Sequence, residues 1–198
     1  MVELKLNCSH PPHKVSAVLR PFPVILAEYN PDWPFMAADH TRRLQVLGPA
    51  LLAVHHIGST AVPNLIAKPI VDLMPLVTSV ADLDQRRHSV EALGYNWHGE
   101  HGISGRRYCT LDGEKGQRVV QLHFFEAGSP QVDRHLAFRD YLRAHPEVAR
   151  VYAMEKRRAR NLHPDDSYAN TDEKAAWIRK AEAMAIDWYA EYLKVINP

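Results

Sequence analysis

Between His55 and Pro75 the chain reads His-His-Ile-Gly-Ser-Thr-Ala-Val-Pro-Asn-Leu-Ile-Ala-Lys-Pro-Ile-Val-Asp-Leu-Met-Pro, and three of these residues suit phosphate chemistry. Gly58 lacks a Cβ and lets the backbone approach a ligand, while Ser59 adds a hydroxyl and a main-chain N–H at the opening of a short helix. Asp72 sits in the apolar run Ile70 to Leu73, where a buried carboxylate costs several kcal/mol unless a metal ion or a lysine pairs with it. The plainer reading, a turn followed by a hydrogen-bonded core acid, explains the same residues.

Other polar side chains fall near this unit. Lys68, just before Pro69, reaches either Asp72 or a bound phosphate, or stands solvated in its loop. Alternation along a strand sends Arg106 and Arg107 to opposite faces, one placed to clamp phosphate with its planar fork and the other exposed. His135, Arg139 and Arg143 are spaced by four on a helix and with Lys156 form a basic wall, or simply a solvated face. In the run Val119 to Phe125, alternation puts Val119, Gln121, His123 and Phe125 on one face, so His123 is expected to converge with Asp72 and Ser59. His55 and His56 point opposite ways, and at most one joins Asp72. No Cys-x-x-Cys, His-Glu-x-x-His or Walker-type sequence occurs.

These residues need strands and turns to hold them. Strands are expected over Ala53–Ile57, Ile70–Leu73, Tyr95–Trp97, Arg106–Leu111 and Val119–Phe125, with Val24–Ala27 as a further candidate. Asp32 and Pro34 mark the start of a helix that runs to about Leu47, where Gly48-Pro49 stops it. A second helix spans Ser79 to Leu93, ending at Gly94. His98 to Gly105 is a glycine-rich loop, and residues 112–116 connect a hairpin. Beyond Ser129-Pro130 the period is helical throughout. One helix carries Val132, Leu136 and Leu142 and ends at His145-Pro146. Another covers Glu147 to Asn161 with Val148, Val151 and Tyr152 inward. A long one runs from about Thr171 to Val195 with Trp177, Ala181, Met184, Ala185, Trp188 and Tyr192 as its buried stripe. The order predicts an α+β fold, a small mixed sheet flanked by helices with a helical C-terminal part.

A chain of 198 residues is long enough for one well-buried core, and 46% hydrophobic with 24% charged residues excludes wholesale disorder. A net charge of +1 gives no strong nucleic-acid or membrane signal. Residues 1–23, with four prolines and no period, read as an irregular extension to a single domain over 24–198. Only Cys8 and Cys109 are present, one in that tail and one in a strand, so no disulfide framework is expected. With neither a signal-peptide pattern nor an apolar run of ~20 residues, the expected location is the cytoplasm.

His56-Ile-Gly-Ser-Thr-Ala-Val-Pro followed by Ala67-Lys-Pro-Ile-Val-Asp-Leu, then Leu122-His-Phe, Ser129 and His135-Leu-Ala-Phe-Arg-Asp-Tyr-Leu-Arg-Ala-His-Pro, resembles the GrpB family. Tyr29-Asn-Pro-Asp-Trp-Pro matches its usual opening, and the resemblance covers about residues 24–190. It implies a nucleotidyltransferase fold related to the polymerase-β core, in which a Gly-Ser corner cradles nucleotide phosphates. Two acids spaced by one residue on a strand, with a third on a neighbouring strand, then hold divalent metal. The implied ligand is a nucleotide or phosphorylated small molecule, with magnesium or manganese as cofactor. The expected phosphate-binding set is Gly58, Ser59, Lys68, Arg107 and Arg139, and the expected metal and catalytic pair is Asp72 with His123. The sequence departs from the family pattern at Met74, which occupies the second acid's position with a thioether, a poor ligand for a hard cation. His123 or Gln121 stands where the third acid is expected, with Glu126 just past the strand. Two functions remain open, metal-dependent nucleotidyl transfer and a catalytically silent binding or regulatory module. A helical interaction module is a third that leaves Gly58, Ser59 and Asp72 unexplained.

Overall fold

The computed structural model describes residues 20–196. Of the expected N-terminal extension, residues 1–19 and with them Cys8 lie outside the described part, and residues 20–23 carry no regular structure. Five strands form one mixed sheet: β1 (Leu51–Ile57), β2 (Val71–Val77), β3 (Asn96–Trp97), β4 (Arg107–Asp112) and β5 (Arg118–Glu126). Their spatial order is β1-β2-β5-β4-β3. Only the β2–β5 pair is parallel; the other neighbours are antiparallel. A parallel pair needs a crossover, and here the chain between β2 and β5 supplies two helices and the β3–β4 edge before returning. Pro75 is tolerated inside central strand β2 because it meets Val54 on the β1 side, whereas the β5 register passes from Leu73 to Leu76.

One face of the sheet is covered by α1 (Trp33–Arg43), α2 (Val80–Gln85) and α3 (Arg87–Ala92). Their Trp33, Leu83 and Val90 pack with Leu44 and Leu47 against Val71, Leu73, Val120, Leu122 and Phe124. The opposite face carries α4 (Pro130–Ala144), α5 (Pro146–Leu162) and α6 (Ser167–Ile196). There Val132 meets Ile57, Met74 and Phe125, and a second apolar cluster joins Val62, Leu65 and Ile66 to Leu142 and Tyr152. The result is an α+β fold in three layers, with the helical C-terminal part on the face that carries Asp72.

Several local expectations are corrected. Val24–Ala27 forms no strand, only a single bridge from Ala27 to Ala67. Asp32 does not cap α1 with its side chain; its own N–H is held by Asn30 Oδ1 at 2.9 Å, and the helix tightens into a 3-10 turn over Leu44–Ala50. The helix expected over Ser79–Leu93 breaks at Arg86 into two pieces, although Ser79 caps the first by accepting from the Asp82 N–H. Val151, Met184 and Tyr192 are exposed rather than buried, because Tyr152, Ala181 and Ala185 take the inward positions on their helices. Val119 leaves the face of Gln121 and His123: a register shift where β4 meets the start of β5 turns it toward the core beside Val120.

Candidate phosphate-binding site

Asp72 pairs in register with Ile57 of β1 and Gln121 of β5, so its carboxylate projects from the α4–α6 face of the sheet. Gly58, at φ +68°, turns the chain immediately beside it. A Cβ on Gly58 would lie 2.5 Å from Asp72 Oδ2, so only glycine permits both the left-handed backbone and the contact. Ser59 opens the following 3-10 turn. His56 Nε2 shares a hydrogen bond with Thr60 Oγ1 at 3.0 Å, and burial lowers its pKa to about 4.

His123 stands two residues past Gln121, on the same face, with Nε2 3.3 Å from Asp72 Oδ1. Arg106 donates through Nη1 to His123 Nδ1 at 3.4 Å. A guanidinium can only donate, so Nδ1 accepts and the ring hydrogen sits on Nε2, aimed at Asp72. The expected convergence of Asp72 and His123 is therefore present as a hydrogen-bonded pair. That arrangement does not fit a metal centre. The lone pair that would bind a cation on Nε2 is replaced by N–H, and a guanidinium lies behind the ring. Met74 is fully buried among Ile57, Phe125 and Val132. Among the described residues no group of three or more His, Cys, Asp or Glu side chains is placed to hold a metal ion.

Positive charge gathers instead. A cavity of about 180 Å³ opens between the sheet and helices α5 and α6, lined by Ser59, Lys68, Asp72, Gln121, Lys156 and Lys174 among others. Lys156 and Lys174 are each only 6% exposed. Lys156 Nζ donates to the Ile66 carbonyl at 2.8 Å and lies 4.6 Å from the centre of the Tyr152 ring. Lys174 Nζ donates to the carbonyl and the side-chain oxygen of Asn170. Because that oxygen faces a donor, the amide end of Asn170 is fixed as the free one, and Asn170 Nδ2 is buried without a partner among the described residues. Burial, then the neighbouring Lys68, lowers the Lys174 pKa from the ordinary 10.5 to about 8. Burial, then the charges of Lys174 and Lys68, lowers the Lys156 pKa as well. Lys68 is also lowered by burial, with Asp72 acting against the shift. Among the described residues, Asp72 is the one carboxylate lining the cavity.

Of the residues singled out in the sequence, the cavity brings together Ser59, Lys68, Asp72, Gln121 and Lys156, with Gly58 and His123 against Asp72. Two of the expected phosphate ligands lie elsewhere. Arg107 projects to the other face of the sheet, where it makes a two-pronged pair with Asp84 at 2.6 Å on both arms. Arg106, not Arg107, faces Asp72's side. Arg139 is held by Asp140 at 2.7 Å and donates to the His56 carbonyl, away from the cavity lining. Tyr152 is inward as expected, whereas Asn170 and Lys174 were not singled out in the sequence. Lys174 could have been: it lies on the same helical stripe as Ile178, Ala181 and Ala185, and a lysine on an apolar stripe is out of place unless it serves a site.

The model of the GrpB protein family matches residues 23–184. The chain belongs to the GrpB family. It is similar to the crystal structure of conserved protein GrpB from Enterococcus faecalis, with TM-score 0.78 and 37% identity over 83% of this chain and 99% of that one. It is 41% identical to UPF0157 protein YqkA of Bacillus subtilis over 180 residues, 90% of this chain and 49% of YqkA. It is 28% identical over 192 residues to a dephospho-CoA kinase of Mycolicibacterium paratuberculosis, 84% of this chain and 47% of that protein. The chain thus spans about half the length of the latter two relatives. No helix among the described residues is long and apolar enough to cross a membrane.

Proposed function

We propose that this GrpB-family chain binds a nucleotide, or another small molecule bearing linked phosphates, with the phosphates between the Gly58-Ser59 corner and the lysines of α5 and α6. The charge balance of the cavity carries the reading: Lys68, Lys156 and Lys174 face one carboxylate, Asp72, and none of the three lies within 4.0 Å of a carboxylate oxygen among the described residues. Withdrawing an ammonium group from water costs several kcal/mol, and a phosphate chain offsets that cost while giving Asn170 Nδ2 an acceptor. At about 180 Å³ the cavity is smaller than the ~300–1,000 Å³ typical of small-molecule pockets, so it suits the phosphate end and leaves a nucleoside at the mouth. The name of the mycobacterial relative, dephospho-CoA kinase, points to a phosphate-bearing nucleotide ligand for that protein, which supports the same ligand class here. The cytoplasm is the compartment proposed with it.

Metal-dependent nucleotidyl transfer to an acceptor is the second reading, favoured by Asp72 lying against the Gly58 corner as the family's implied fold requires. The donor set around Asp72 supports binding better than transfer. Calorimetric titration of the full chain with nucleoside triphosphates, once with EDTA and once with magnesium or manganese, tests this. Binding that persists in EDTA is expected. Binding only with metal, together with product in a screen of acceptors, would overturn the binding reading in favour of transfer.

A further inference from the structure

Three buried side-chain nitrogens lack a partner among the described residues: Asn170 Nδ2 in the lysine cleft, and His98 Nδ1 and Arg118 Nε elsewhere. The latter two lie near each other at the β4 end of the same sheet face. The register shift between Leu111 and Asp112 turns Arg118 to that face, where Nη1 donates to the Tyr108 hydroxyl at 3.4 Å. Tyr108 is the register partner of His123, and its ring centre is 5.6 Å from that of His98. His98 Nε2 is 2.9 Å from Thr110 Oγ1. When the threonine hydroxyl donates there, His98 Nδ1 carries the ring hydrogen and becomes a buried donor with nothing to give it to. Arg118 Nε is a donor in every state. Burial, then the charge of Arg118, lowers the His98 pKa to about 4, so the ring is neutral at neutral pH and offers a donor in its Nδ1–H tautomer.

More cationic charge surrounds these donors. Arg106 is 7% exposed, its guanidinium 4.9 Å from the Tyr108 ring centre. It donates to the carbonyls of Glu100 and His101, and no carboxylate oxygen lies within 4.0 Å of it or of Arg118 among the described residues. His101 stacks on Tyr108 at 4.9 Å and 13°. Phe22 ties this region to the cleft: Arg118 lies 5.3 Å from its ring centre and Lys68 lies 5.4 Å away. Asp72, Gln121 and Thr110 are neighbours across three strands. Two strand spacings separate Asp72 from Thr110, roughly 10 Å.

We propose a second anion subsite, formed by Arg118, His98 and Arg106 and roughly 10 Å across the sheet from Asp72, that takes a phosphate group distinct from those in the lysine cleft. Two unpartnered nitrogens beside guanidinia that no carboxylate neutralises favour an oxyanion, and the aromatic floor of Tyr108 and His101 supports the organic portion joining it to the rest. The inference rests on the phosphate reading of the cleft. It adds that the ligand carries two separated phosphates, or that a second phosphorylated molecule binds beside the first.

Calorimetry on the full chain with adenosine 5′-monophosphate and adenosine 3′,5′-bisphosphate tests it, using wild type, Arg118→Met and Lys174→Met. The bisphosphate is expected to bind at least tenfold tighter than the monophosphate, and Arg118→Met to erase that advantage while changing monophosphate affinity less than twofold. If the bisphosphate has no advantage but pyrophosphate binds the monophosphate-saturated protein in an Arg118-dependent way, the second phosphate belongs to another molecule and the subsite stands. If neither response depends on Arg118, the subsite is overturned. Should Arg118→Met fail to fold, the ¹⁵N resonances of His98 in wild type serve instead, and their failure to move on adding pyrophosphate overturns the subsite. The cleft is judged separately: Lys174→Met binding the monophosphate as wild type does would remove that reading whatever Arg118 does.

Discussion

Asp72 is where the two functional readings part. Its carboxylate is 25% exposed, with the His123 imidazole on one side and the Gly58 backbone on the other. In a cleft that holds phosphate through lysines, the carboxylate repels the ligand, so Asp72→Asn is expected to raise triphosphate affinity in EDTA by about fivefold, roughly 1 kcal/mol. A loss of affinity on titration would show that Asp72 attracts the ligand through a cation. Gly58→Ala is expected to lower stability by about 1–3 kcal/mol in urea unfolding, since it forces a side chain into positive φ and against Asp72 Oδ2. An unchanged midpoint would mean that the corner relaxes freely. Lys174 gives a pH signature. Its folded pKa of about 8 lies below the ordinary 10.5, so the unfolded chain binds more protons between these values and the stability of the unliganded protein rises with pH there. Phosphate affinity runs the other way, falling up to tenfold per pH unit above about 8 as the ammonium is lost. Parallel thermal melts and titrations from pH 7 to 10 check both signs.

At the scale of elements, the site depends on where three helices dock. Trp188 is half-buried, stacked on Tyr192 at 5.2 Å and edge-on to His145 at 5.5 Å, whereas Tyr152 is 6% exposed and stacked on Trp177 at 4.9 Å. Tyr152→Ala is therefore expected to cost about 3–5 kcal/mol and Trp188→Ala about 2 kcal/mol, measured by chemical denaturation. Equal costs would contradict the difference in packing. The strands β1 to β5 were legible in the sequence because apolar runs, alternation and glycine turns mark them directly. The pairing of Asp72 with His123 was legible too, since alternation along β5 leaves little choice of face. The bulge that frees Val119 and re-aims Arg118 was not, because it arises from a strand-to-strand register that no single run of residues reveals. The cleft's second wall was hidden for a similar reason: Asn170 and Lys174 sit about a hundred residues beyond Asp72, and only the docking of α6 brings them to it.

For the whole molecule, the sheet supplies the corner and the acid while the C-terminal helices supply buried cations, so the ligand bridges the two halves of the fold. Binding to the native state alone stabilises it by about 2.7 kcal/mol at a ligand concentration of 100 Kd. For a chain of this size that corresponds to a rise in melting temperature of roughly 5–10 °C. The most direct test of the central claim, that buried lysines hold phosphate here without a resident metal, is calorimetry with a nucleoside triphosphate in EDTA on wild type and on Lys156→Met/Lys174→Met. Wild type is expected to bind and the double variant, still folded by circular dichroism, to lose at least a hundredfold in affinity. Equal affinity in the two proteins would contradict the claim.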